Sequence, residues 1–182
     1  MPDSNITKNA LAAAMKKLMK RKPFSKISVT DICDECGMNR KSFYYHFKDK
    51  YDLVNWIFYV NFVSEITVHS HENGWELLVA ICELFYKEKD FYRAALMIEG
   101  QNSFREYFYE TLQPIVAFFV QDIFPNSEEQ EFFSVFIAEG FLATMVCWLS
   151  GNSDMPPRKF VGQIRDIIIA LAANLEKDME DN

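Results

Sequence analysis

Glycine and proline are scarce in this chain, six of each among 182 residues. Sheets need frequent tight turns, which draw on those two residues, so the scarcity disfavours a strand-rich fold. Cysteine is scarce as well. Its four positions, 33, 36, 82 and 147, have none of the regular spacing of a secreted disulfide framework. No run of 18 uncharged apolar residues occurs, so no membrane span is expected. The first residues carry no apolar stretch followed by a cleavage site, and a cytoplasmic location is expected. A Gly-rich phosphate loop, a Ser/His/Asp arrangement and a nucleophile elbow are all missing, so neither an enzyme nor a catalytic residue nor a cofactor is expected. Cys33-x-x-Cys36 lacks the second pair of ligands that a structural zinc needs. His69 and His71 stand two residues apart, a spacing that on a helix points them away from each other. No metal is expected.

What is present is apolar and unevenly charged. Hydrophobic residues make up 49 %, enough for a substantial core, and plentiful Leu, Met, Phe and Lys favour an all-α chain. The net charge of −7 argues at first against nucleic acid. Its distribution reverses that. Residues 1–50 hold 11 Lys and Arg against 5 Asp and Glu, whereas residues 51–182 hold 8 against 21. A basic head on an acidic body fits nucleic-acid binding at one end only.

The head contains the stretch around which the chain is organised, Ser28 to Phe47. Ser28 and Asp31 have the spacing of a capping box, and Val29, Ile32, Cys33 and Cys36 follow on one helical face. Both cysteines therefore read as small core hydrophobes. Gly37 suits the left-handed residue that ends a helix, and Asn39 is a good cap for another beginning at Arg40. On that second helix Phe43 and Phe47 fall one turn apart, while Lys41, Ser42, Tyr44 and Tyr45 point elsewhere. An anchored aromatic face opposite Lys, Ser and Tyr suits a helix laid in a DNA major groove. Arg40 stands in its first turn, the end usually presented to bases. Geometry alone does not assign His46, at the flank.

These residues resemble the TetR/AcrR transcriptional regulators. The resemblance is carried by Ser28-Val29-Thr30-Asp31-Ile32, Gly37-Met38-Asn39-Arg40, Ser42-Phe43-Tyr44-Tyr45-His46-Phe47 and Lys48-Asp49-Lys50-Tyr51-Asp52-Leu53. It implies DNA contacts from Thr30, Asn39, Arg40, Lys41, Ser42, Tyr44, Tyr45 and His46, and a phosphate anchor at Lys50. It also implies a homodimer on a palindromic operator, acting as a repressor under the control of an effector. The expected architecture is a three-helix helix-turn-helix domain over residues 1–52 and a larger helical effector and dimerisation domain over 53–182.

Around that stretch, residues 5–22 read as a first helix whose lysines crowd the faces around Leu11, Met15 and Leu18. A solvated basic face and a phosphate-facing one both fit. A long helix follows from Lys50 to about Ser70, and Asn73-Gly74 marks a break. Asp90 is a candidate cap for a helix to Glu99. Phe104–Phe124 contains Pro114, which predicts a kink or break. Pro125-Asn126 ends that segment, and Ser127 to Gln130 form a second capping box. The final helices, about 128–150 and 158–177, are apolar on more than one face and therefore need cover on two sides. A second copy supplies it most simply, through Phe141, Trp148, Ile164, Ile168 and Leu171. Nine aromatics between Phe91 and Phe124 read either as ordinary core or as an effector pocket. The pocket reading takes Gln101, Asn102, Phe104, Phe108 and Phe118, for a small molecule or a protein. The Gly100-Gln101-Asn102-Ser103-Phe104 stretch and the Trp148 helix resemble a TetR subgroup that includes activators of dihydroxyacetone-kinase operons. That resemblance implies a protein partner. The rival reading is a protein-interaction module, or a partner-controlled activator, whose DNA head is vestigial.

Overall fold

The structure, a computed structural model, describes residues 2–68, 74–123, 130–151 and 154–180. Among these residues every regular element is helical. His69 and His71, Asn73, Phe124, Pro125-Asn126 and the Ser127–Glu129 part of the second capping box lie outside the described residues.

The chain divides into two compact units, one of residues 1–64 with 88–107, the other of 65–87 with 108–182. In the first, α1 (Pro2–Met19) is followed by a 3-10 turn at Phe24–Lys26, α2 (Val29–Cys36), α3 (Arg40–His46) and the start of α4 (Lys50–Val68). Their inward faces supply one core, with Leu11, Met15, Ile32, Phe43, Leu53 and Val54 all buried. The punctuation expected from sequence is in place. Ser28 Oγ accepts the Asp31 amide at 3.1 Å, and Asp31 Oδ2 accepts the Ser28 amide at 2.7 Å. Gly37 ends α2 at φ 69°, a left-handed conformation open to glycine at little cost. Helix α6 (Lys89–Leu96) belongs to this unit as well, running between Glu88 and Met97 rather than from Asp90 to Glu99. Lys16 of α1 ties it down, donating to Glu88 at 2.7 Å with its ammonium 5.4 Å from the Phe91 ring centre.

The second unit comprises α5 (Gly74–Lys87), α7 (Phe104–Ile123) from Phe108 onward, α8 (Gln130–Ser150) and α9 (Pro157–Glu180). Helix α7 runs through Pro114 unbroken. The ring of Phe119 lies where a Cβ on Gly74 would be, 1.4 Å from that position, and stacks on Trp75. Only glycine leaves room there. Trp148 of α8 is sandwiched between Tyr86 and Phe160, at 5.6 and 4.5 Å between ring centres, and donates its indole N–H to the Met155 carbonyl at 2.9 Å. Helix α8 is long and apolar enough to cross a membrane by length and composition. It carries Glu131 and Glu139, and its Ala138–Phe141–Leu142–Met145–Leu149 face is buried in its own unit.

Candidate nucleic-acid interface

Helix α3 is short, and its setting decides what it can present. Asn39 caps it, accepting the Ser42 amide at 2.8 Å, so the cap side chain is occupied by its own helix. Phe43 and Phe47 are buried, and Phe47 meets Trp56 of α4 edge-on at 5.5 Å. With that face fixed, Arg40 and Lys41 are exposed, Tyr44 is 50 % exposed and Tyr45 82 %. Arg40 lies over the Tyr44 ring at 5.8 Å, an arrangement that stiffens a long side chain. Ser42 and His46 are half-buried, the His46 ring against Tyr45 at 4.9 Å. Thr30 is exposed in the first turn of α2. Of the residues grouped from sequence, Arg40, Lys41, Tyr44 and Tyr45 thus form one solvent-facing ridge of aromatic hydroxyls and cations on α3.

The basic residues of α1 and of the turn after it behave differently from a phosphate-facing set. Lys17 and Arg21 pair with Glu35 of α2, Arg21 at 3.1 Å, and Lys22 pairs with Asp31 at 3.0 Å. The Lys17 contact holds the Glu35 carboxyl below its ordinary value, with desolvation opposing. Asp31 is held well below the usual carboxylate range, first by the Ser28 hydroxyl and amide and then by Lys22. These pairs clamp α1 to α2. Lys50 also turns inward, donating to the carbonyls of Phe24 and Ile27, both at 2.8 Å.

Cys33 is buried and Cys36 half-buried, with the Cys36 thiol donating to the Ile32 carbonyl at 3.2 Å. Burial raises the pKa of both thiols, the opposite of what metal ligation or redox exchange requires.

In the second half of the chain several expected groupings change. Phe104 packs with Phe58 and Tyr92 in the first unit, and Phe108 packs with Phe85 in the second. Phe118 points to solvent, and Gln101 and Asn102 are exposed. These five do not line one cavity. A cavity among the described residues of the second unit lies elsewhere, among Trp75, Leu78, Phe119, Ile137, Phe141 and Ile168, and holds about 20 Å³, room for a water or two. Phe141, Trp148 and Ile168, expected between subunits, are already buried within one chain because α5, α7 and α9 cover them. Ile164 is half-buried, and Leu171 alone of the five is exposed. Other apolar residues left uncovered include Phe132, Val135 and Phe136 on α8 and Ile167 and Ile169 on α9. Sequence reasoning passed over Phe132, Phe136 and Ile167, although the 132, 136, 140, 143 spacing marks a second face of α8.

An all-helical chain whose capped helix-turn-helix presents a tyrosine- and lysine-bearing helix to solvent is a DNA-binding transcription regulator. The profile of bacterial regulatory proteins of the tetR family matches residues 10–57, and that of a transcriptional regulator C-terminal region matches residues 72–170. The chain belongs to the TetR family. A curated relative, the HTH-type dhaKLM operon transcriptional activator DhaS of Lactococcus lactis subsp. lactis (strain IL1403), is 28 % identical over 102 residues, 56 % of this chain. The chain spans about half the length of that relative, 54 %. Among solved structures, a TetR transcriptional regulator from Streptococcus agalactiae 2603V superposes with a TM-score of 0.72 at 21 % identity, covering 94 % of this chain and 96 % of that one. A dihydroxyacetone kinase operon activator DhaS superposes at 0.67 and 22 % identity, covering 92 % and 97 %. At these identities the structures speak for the fold alone.

Proposed function

We propose that this regulator acts in the cytoplasm as a homodimer on a palindromic operator, with residues 1–52 reading DNA and residues 53–182 pairing the subunits and receiving an effector. The observation that carries the DNA reading is the ridge on α3. A tyrosine left 82 % exposed on the same short helix as Lys41 and Arg40, anchored by Phe43 and Phe47, contributes little to the core. Its chemistry suits base edges and phosphates. Dimerisation is supported by the outer face of α8. Phe132 and Phe136 stack there, 6.3 Å between ring centres, above the small residues Gly140 and Ala143. Thr144 turns its hydroxyl back to the Gly140 carbonyl at 2.8 Å, and the exposed Glu139 is the charge on that face.

Selecting fragments of the source genome with purified protein tests the reading. The expected result is recovery of pseudo-palindromic sites with half-sites about one or more helical turns apart. Recovery of no fragment would remove the reading and favour the interaction module. The effector is either a small molecule or a protein partner, and the cavity named above, far below the several hundred Å³ typical of drug-sized ligands, does not itself suit the former. Two relatives are named as operon activators, which supports activation as the alternative to repression. Either effector must bind the two states of the regulator with different affinities, because equal binding shifts nothing.

A further inference from the structure

Lys50 opens α4, a place from which an ammonium could reach a phosphate. In this structure it faces the other way. Its Nζ donates at 2.8 Å to the Phe24 carbonyl and at 2.8 Å to the Ile27 carbonyl, which takes two of the three N–H donors of an ammonium. The same nitrogen sits 4.3 Å from the centre of the Phe24 ring and 6.0 Å from that of Tyr51, which meets the Phe24 ring edge-on at 4.9 Å. The socket is therefore made of two carbonyls and an aromatic face.

What the socket holds matters. Ile27 immediately precedes Ser28, the residue that caps α2, and Thr30 stands in the first turn beyond it. Phe24 belongs to the 3-10 turn that links α1 to α2. We infer that Lys50 is a positioning residue: its ammonium pins the Phe24–Ile27 turn to α4 and so fixes how α2, with Thr30, and the α3 packed on it are presented to DNA, without itself neutralising a phosphate. This rests on the DNA-binding reading above. Desolvation in the socket lowers the Lys50 pKa, partly offset by Asp31 and Asp49, as expected for a half-buried cation.

The two roles of Lys50 differ in their salt dependence. A lysine that contacts phosphate releases counterion, and its loss lowers the slope of log K against log salt by about 0.9 per subunit, about 1.8 for a dimer. A positioning lysine releases none. Lys50→Met, close in length but without donors, is to be titrated with a selected operator and with random duplex across a salt series, at a temperature where melting shows both proteins folded. Positioning is supported if operator affinity falls by about tenfold, the order of one good base contact, with the slope and random-duplex binding unchanged. A slope lower by about 1.8 for the dimer, with operator and random duplex weakened alike, overturns it. Unchanged operator affinity in the folded variant also overturns it, leaving a purely structural lysine.

If the wild type binds no DNA, the DNA reading fails by itself, and amide exchange of the free protein still judges the contact. Faster exchange in Lys50→Met at Lys26, Ile27 and Asp31 than at Phe47 supports the socket, and uniform exchange overturns it. Should Lys50→Met not fold, the ¹⁵N resonance of Lys50 in the wild type on operator decides. Coupling to a phosphate ³¹P overturns the inference, and a protected ammonium without such coupling supports it.

Discussion

At the scale of single residues, exposure and hydrogen bonding separate the roles of neighbours that look alike in sequence. Tyr45 is 82 % exposed, whereas Phe43, two positions earlier, is fully buried. Replacing Tyr45 by Ala is expected to leave thermal stability within about 0.5 kcal/mol, as for other surface positions, while relaxing base preference in competition binding. A melting temperature several degrees lower would mean that the ring packs after all. The capping box gives a second case. Ser28→Ala is expected to cost about 1 kcal/mol in denaturant unfolding, the usual loss for an N-cap. Its partner Asp31 has a folded-state pKa below its unfolded one, so its contribution is fully present above about pH 4 and is lost as pH falls toward the folded value. Asp31→Asn should therefore lower stability at pH 7 and flatten its decline on acidification below that point. An unchanged acid profile would count against the box.

At the scale of elements, α8 carries two apolar faces with opposite duties. Its inner face is the core of the second unit, and Trp148→Ala is expected to destabilise the chain by about 3–5 kcal/mol through the cavity left between Tyr86 and Phe160. Its outer face is solvent-exposed in the single chain, so Phe136→Glu should leave helical content and melting of the monomer intact. Under the dimer proposal, that substitution converts the particle seen in light scattering from two chains to one. A wild type already monomeric at micromolar concentration would refute the pairing. Gly74 at the start of α5 is a different case, because added bulk meets a ring rather than solvent. Gly74→Ala is expected to displace Phe119 at a cost of about 1–3 kcal/mol, visible as changed Trp75 fluorescence.

At the scale of the whole molecule, charge asymmetry governs encounter with DNA. The cations of residues 1–50 outnumber their acids, yet Lys16, Lys17, Arg21 and Lys22 are engaged with carboxylates of the same unit. Those four therefore stabilise the reader rather than release counterions. The salt slope should accordingly be shallower than a count of basic residues suggests, near the −0.9 per contact that Arg40, Lys41 and a few others provide in each half-site. A slope accounting for every lysine of α1 would show that these pairs open on DNA. The acidic remainder of the chain repels phosphate and favours approach by the basic end.

The local chemistry of this protein was written in its sequence. The Ser28–Asp31 box, the left-handed Gly37, the Asn39 cap and the Phe43–Phe47 anchor all depend on residues within a turn or two of one another. Spacing along the chain suffices to read them. The helical class was legible for the same reason. Long-range placement was not. Nothing in the periodicity of α6 tells that Glu88 and Phe91 meet Lys16, or that Lys50 would find the carbonyls of a turn 23 to 26 residues earlier. A helix apolar all round shows two faces needing cover but not which one its own chain supplies. Trp148 and Phe136 were interchangeable on that evidence. Only packing assigned the first to the core and left the second in solvent, because burial is a property of all the elements that surround a side chain and not of the segment that bears it.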